Sequence, residues 1–138
     1  MATTLRSFLG LAGFYRRFIR GYAMIAAPLV KVTTIKPFQW TSQAQLAFDD
    51  LKHALSTAPV LALPDFRLPF IMETDALGVG IGVVLSQQGH PITFFSKPFT
   101  PKLLRASMYV RELVAITLTV KKWRQYLLGH HFTIITNH

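Results

Sequence analysis

Residues 70–96 read FIMETDALGVGIGVVLSQQGHPITFFS, in which apolar positions alternate with small or polar ones. A period of two belongs to a strand, whose side chains point alternately to the two faces of a sheet. Phe70–Thr74, Gly80–Ser86 and Ile92–Ser96 are therefore predicted strands, and Gln88–Gly89 supplies the hairpin turn between the last two. Gly78-x-Gly80-x-Gly82 has the spacing of a phosphate-binding loop, but no helix follows it. A strand closely approached by another part of the backbone is the reading that remains.

Working downstream, Thr100–Pro101 opens one long helical pattern. Tyr109, Leu113, Ile116, Val120, Trp123 and Leu127 recur at three and four, and Gly129 stops it. Phe132–Thr136 is a fourth strand. Upstream, Ala58–Pro69 is proline-punctuated and extended. Ser42-x-x-Gln45 fits a capping box for a helix whose buried stripe is Ala44, Ala47, Phe48, Leu51, Ala54 and Leu55. Asp49–Asp50 falls on that helix's solvated face. Lys36–Trp40 is an aromatic connector, Ala23–Thr33 a helical stretch interrupted by Pro28, and residues 4–20 an amphipathic helix stopped by Gly21. The chain divides into a helical segment (1–36), a connector helix with an extended linker (37–65), and an α/β unit (66–138) of three antiparallel strands, a helix and a fourth strand. With no closing helix after the fourth strand, that unit is expected to be incomplete at its C-terminus.

Composition narrows the function classes. There are 15 Lys and Arg against 6 Asp and Glu, a formal net charge of +9. Such an excess favours a polyanionic partner. The 51% apolar fraction is enough for a packed core. No cysteine is present, which excludes disulfides, zinc thiolates and cysteine nucleophiles. No apolar run approaches the length of a membrane span. With no signal peptide at the N-terminus, a cytoplasmic or nuclear protein is expected.

Two carboxylates are candidates for chemistry. Asp75 follows the first strand and is either a turn residue or a metal ligand; Glu112, at the edge of the helical stripe, is either solvated, paired with Arg111 or Lys121, or a second ligand. Strands followed by a packed helix bring such positions to one end of a sheet. Two hard dications held there by oxygen ligands about 4 Å apart clamp a phosphodiester during hydrolysis. Asn137, after the fourth strand, suits a third ligand by position, though an amide adds no negative charge. His130 and His131 read as a solvated loop. Phe14-Tyr15-Arg16-Arg17-Phe18, with Arg20, mixes rings and guanidinium groups as nucleic-acid surfaces do; alternatively the rings are core and the arginines solvated.

Leu9-Gly-Leu-Ala-Gly-Phe-Tyr-Arg-Arg-Phe18, Phe38-Gln-Trp40, Ala47-Phe48 with Leu51-Lys52, and Ala58-Pro-Val-Leu-Ala-Leu-Pro-Asp-Phe66 resemble the end of a gypsy-type LTR retrotransposon reverse transcriptase and the connector after it. Glu73-Thr-Asp-Ala-Leu-Gly-Val-Gly-Ile-Gly82, Tyr109-Val-Arg-Glu-Leu-Val-Ala115, Lys122-Trp-Arg-Gln-Tyr-Leu-Leu-Gly129 and Ile135-Thr-Asn-His138 resemble the first half of its ribonuclease H domain. The resemblance makes 1–36 a thumb-like segment and 66–138 a truncated ribonuclease H-like domain. It implies magnesium-dependent cleavage of RNA in RNA–DNA hybrids by four carboxylates. Asp75 matches the first of these and Glu112 the second, both metal ligands. Asn137 stands at the third, an aspartate in the family, and Leu77 replaces a usual serine. Arg16, Arg17 and Arg20 become the nucleic-acid-binding candidates. The expected partners are a hybrid or duplex, the rest of a polyprotein, or a second copy of the chain. The function expected is that of a retroelement polymerase fragment with its nuclease activity lost; the alternatives are a non-catalytic binding module and a decayed reading frame.

Overall fold

In the computed structural model, which describes residues 2–77 and 80–136, Gln88 and Gly89 both carry positive φ, 51° and 77°. Two such residues make the tight turn whose twist matches the strands it joins. The turn sets β2 (Gly80–Gln87) antiparallel to β3 (His90–Pro98), with Gln87 opposite His90 and Val83 opposite Phe95. β1 (Phe70–Leu77) pairs antiparallel with β2, and β4 (Phe132–Ile135) pairs parallel with β1, Phe70 opposite Phe132. The sheet order is β3-β2-β1-β4. β1 runs three residues beyond the predicted strand, because Asp75, Ala76 and Leu77 still pair with Gly82, Ile81 and Gly80. Asp75 thus lies inside a strand.

Phe70, Met72, Ile81, Val83 and Leu85 form one core with Ala115, Trp123 and Leu127. The predicted long helix over them is three pieces: α4 (Pro101–Leu104), α5 (Met108–Lys122) and α6 (Arg124–Leu127). Thr100 and Ser107 each cap a start, accepting from the Leu103 and Val110 N–H groups at 3.2 Å. Arg111 holds the corner between them by donating to the Leu103 carbonyl (2.9 Å) and to that of Leu104. The predicted stripe is also rotated at its start. Tyr109 and Leu113 are 70% and 52% exposed, while Glu112, Ala115 and Thr119 face the sheet. Further along, the predicted stripe holds: Ile116 and Val120 pack against the core and Trp123 and Leu127 are buried in it, so apolar periodicity misplaced only the first turns of α5, where the buried side carries a carboxylate. His130 is likewise not a free loop residue: its ring lies 5.2 Å from Phe66 and 6.1 Å from Phe70.

The first half forms a second core from Leu5, Ala12, Ile19, Ala26, Leu29 and Leu51. α1 (Ala2–Phe14) ends earlier than predicted, in a 3₁₀ turn at Arg16–Phe18, where Phe18 N–H bonds the Tyr15 carbonyl three residues back. Gly21, at φ 66°, starts α2 (Tyr22–Thr33) rather than stopping a helix. α2 continues through Pro28. Tyr22, Ala26, Leu29 and Val32 are all buried on it, and at about 1.5–3 kcal/mol for each large side chain their burial outweighs the roughly 3 kcal/mol cost of an internal proline. α3 (Ser42–Ser56) is capped by Thr41, whose hydroxyl accepts from Ala44 N–H at 3.1 Å; the predicted box at Ser42 is one residue late, and Gln45 instead accepts from the Trp40 ring N–H. Asp49 and Asp50 are exposed, as the sequence indicates.

The linker is tied down by buried Gln87. Its amide donates to the Asp65 and Leu68 carbonyls (2.7 and 3.1 Å) and accepts from Asp65 N–H (2.8 Å). Hydrogen bonds from Arg67 hold the Asp65 carboxyl down to about 2. The helical segment meets the sheet at β3, where Ala23 N–H donates to Ser96 Oγ at 2.8 Å. Gly80 is the close approach the sequence suggests: a Cβ there would lie 2.6 Å from Met24 Sδ and 2.8 Å from the Lys97 carbonyl. Met24 can swing away, but the β3 backbone cannot. Gly80→Ala is expected to cost about 1–3 kcal/mol, seen as a lower melting temperature, whereas Gly89→Ala costs strain only at its turn.

Candidate active site and nucleic-acid interface

Thr74 is where β1, β4 and α5 meet. Its hydroxyl donates to Glu112 Oε1 at 3.1 Å and lies 3.5 Å from the Ile135 carbonyl. Glu112 sits in the second turn of α5 and is 8% exposed. A carboxylate this buried is costly unless hydrogen-bonded, and the Thr74 hydroxyl provides one such bond. Sequence reasoning missed Thr74. The signal was present: it is the one hydroxyl on a β1 face otherwise made by Phe70 and Met72.

Asp75 is the next residue on β1, its backbone opposite Gly82, so the chain brings it within one residue of the side chain that holds Glu112. Asn137 lies outside the described residues. The described donors, a carboxylate and a hydroxyl, are the oxygen type a hard dication takes. Among the described residues no three His, Asp or Glu side chains converge.

The basic candidates lie at the other edge of the sheet. Phe14 is 76% and Tyr15 44% exposed, so these rings are surface and not core. Their centroids are 5.2 Å apart, and Tyr15 is 6.1 Å from Phe18. Arg17 stacks on Phe18 at 4.7 Å, Arg16 on Tyr22 at 5.6 Å and Arg20 on Phe94 at 5.5 Å. The ion pairs among the described residues are Lys52–Asp49 and Arg67–Asp65, so none of these three arginines is neutralised by a carboxylate there. Stacked and unneutralised guanidinium groups beside exposed rings can meet both phosphates and bases.

Residues 40–134 match the family described as the RNase H-like domain found in reverse transcriptase. The chain is 41% identical over 136 residues to the Pol polyprotein from transposon 297 of Drosophila melanogaster, covering 97% of this chain and 13% of that protein. It is 36% identical over 148 residues to that from Drosophila transposon gypsy, covering 97% and 14%. The Gag-Pol polyprotein of woolly monkey sarcoma virus is 39% identical over 139 residues, covering 97% and 8%. The chain thus spans a small part of these relatives' length. The fold also matches the foamy viral protease-reverse transcriptase in complexes with dsDNA and with an RNA/DNA hybrid. Both give a TM-score of 0.86 at 24% identity, covering 97% and 98% of this chain and 29% and 19% of those.

Proposed function

Because the chain belongs to the family of RNase H-like domains found in reverse transcriptase, we propose that it acts within a retroelement polymerase by holding an RNA–DNA hybrid or duplex rather than by cutting it. The observation that carries this reading is the set of three arginines, Arg16, Arg17 and Arg20, stacked on rings and unneutralised among the described residues. The foamy viral relatives of the same fold were solved with dsDNA and with a hybrid, which supports it. Residues 1–36 then serve as the thumb-like segment, 37–65 as the connector and 66–138 as the RNase H-like domain. The half-exposed apolar side of α5, Met108, Tyr109 and Leu113, is the surface we assign to the rest of such a polyprotein. A cytoplasmic or nuclear location goes with this role.

Two-metal hydrolysis is the second reading, favoured by burial of Glu112 beside Thr74 and one residue from Asp75. Asp75, Glu112 and an aspartate in place of Asn137 would then hold the ions.

The first reading is tested by hybrid-binding titrations in rising salt. Three phosphate contacts give a log–log slope of about −2.7. Replacing Arg16, Arg17 and Arg20 by alanine together is expected to flatten the slope and weaken binding of every sequence alike. Binding that ignores salt, or that survives the triple replacement, argues against it.

A further inference from the structure

We propose that a single-stranded segment of nucleic acid lies along β3, the outermost strand of the sheet, in a trough between the helical segment and the C-terminal end of α5. The inference rests on the nucleic-acid reading above and deepens it, since Arg16 and Arg17 line the trough as well. Two cavities, of about 320 and 690 Å³, lie side by side along β3, with Arg16, Phe95 and Ser96 in the lining of both. Together they follow β3 from Thr93 to Pro98. Six strand residues span on the order of 20 Å, which matches about six nucleotides at the stacked rise of 3.4 Å per strand.

Charge points the same way. Arg16, Arg17, Lys31, Lys97 and Lys122 line the channel, and among the described residues no acidic one does. None of the five makes an ion pair among the described residues. Gathering like charges along one trough is unfavourable unless an anion occupies it. Lys122 also lies 5.7 Å over the Phe95 ring, which keeps its ammonium on the channel wall. Exposed Phe14 and Tyr15 immediately precede Arg16 in the chain and offer rings on which unpaired bases can stack. A duplex offers no free base face to such a platform, and cavities of this size accept a strand rather than a helix of two. The trough is also distinct from the Thr74–Glu112 locus. Lys122 is ten residues along α5 from Glu112, about 15 Å at 1.5 Å per residue.

The experiment is fluorescence anisotropy on the full 138-residue chain with a labelled oligo(dT) and a labelled oligo(U), and with a labelled RNA–DNA hybrid. The parent, Tyr15→Ala and Lys122→Gln are compared across a salt series; both side chains are exposed, and circular dichroism checks that the fold is kept. Loss of one stacked base predicts at least about a fivefold weaker single-strand affinity for Tyr15→Ala. Loss of one phosphate contact predicts a single-strand salt slope smaller by about 0.7 for Lys122→Gln. Hybrid affinity is expected to stay within about twofold for Lys122→Gln, which lies outside the Arg16, Arg17 and Arg20 set. Both oligonucleotides binding supports a site that reads the shared phosphodiester and base faces; one alone binding supports it for that sugar. If the parent binds hybrid while single-strand binding is absent or indifferent to both substitutions, this inference falls and the hybrid reading stands. If neither ligand binds, both fall.

Discussion

Given magnesium and a labelled RNA–DNA hybrid, the purified 138-residue chain is expected to leave the RNA strand intact, and Asn137→Asp alone is expected not to start cleavage. The sequence holds six acidic residues. Asp49 and Asp50 are exposed on α3, and Asp65 is bonded to Arg67. Glu73 is exposed, and strand alternation puts it on the face of β1 opposite Thr74. Asp75 and Glu112 remain, two negative charges against the four positive ones of a magnesium pair. Water already solvates these ions well, so a half-neutralising site binds the second one poorly. Without it the leaving oxygen is not stabilised, and cleavage should stay below detection. Asn137→Asp raises the count to three, still one short of the family's four. Cleavage by the parent chain that Asp75→Asn abolishes would show this account of the site to be wrong.

Phe70→Ala is expected to lower the stability of the sheet unit by about 3–5 kcal/mol, a large share of the roughly 5–15 kcal/mol that holds a typical domain. Phe70 is fully buried at the start of β1. Its ring packs against Phe66 at 5.9 Å, Tyr126 at 6.3 Å and His130 at 6.1 Å, and its N–H donates to the His131 carbonyl at 3.2 Å. Removing the ring opens a cavity that linker, helix and strand cannot all close at once. Trp123 is buried in that core and Trp40 lies in the connector, so in a Trp40→Phe background urea unfolding followed by fluorescence reads the sheet unit. A midpoint that moves by less than the equivalent of about 1 kcal/mol would mean that Phe70 does not hold these elements together.

The strands were legible because a period of two and the Gln88–Gly89 turn each fix a register, and all four appear, with β1 running on to Leu77 and β3 longer at both ends. The helices were legible as helices but not in their ends. Thr41 and Ser42 are both good caps, and choosing between them needs the Trp40–Gln45 contact, which no local pattern contains. The break between α4 and α5 depends on Arg111 reaching back to two carbonyls. At the candidate site, Asp75 and Glu112 stood out through family resemblance, whereas Thr74 did not. A threonine in a strand is ordinary until a helix lays a carboxylate over it. The channel along β3 was invisible for a related reason: Arg16 and Lys122 are about a hundred positions apart, and only the docking of α2 on β3 brings them to one wall.

The parallel pairing of β1 with β4 bears on how the chain acquires its structure. β1, β2 and β3 are joined by short connections, but Phe70 meets Phe132 only after about 60 residues have been brought back. Closing a loop of that length rather than one of about ten residues costs roughly 1.6 kcal/mol more in chain entropy. Four strand residues must repay it. The meander of β1 to β3 should therefore form early, with β4 adding late and opening first. Amide hydrogen exchange would then run faster across residues 132–135 than across β2. Because Thr74 touches both Glu112 and the Ile135 carbonyl, each such opening would also loosen the carboxylate, coupling the slowest-formed edge of the sheet to a buried charge.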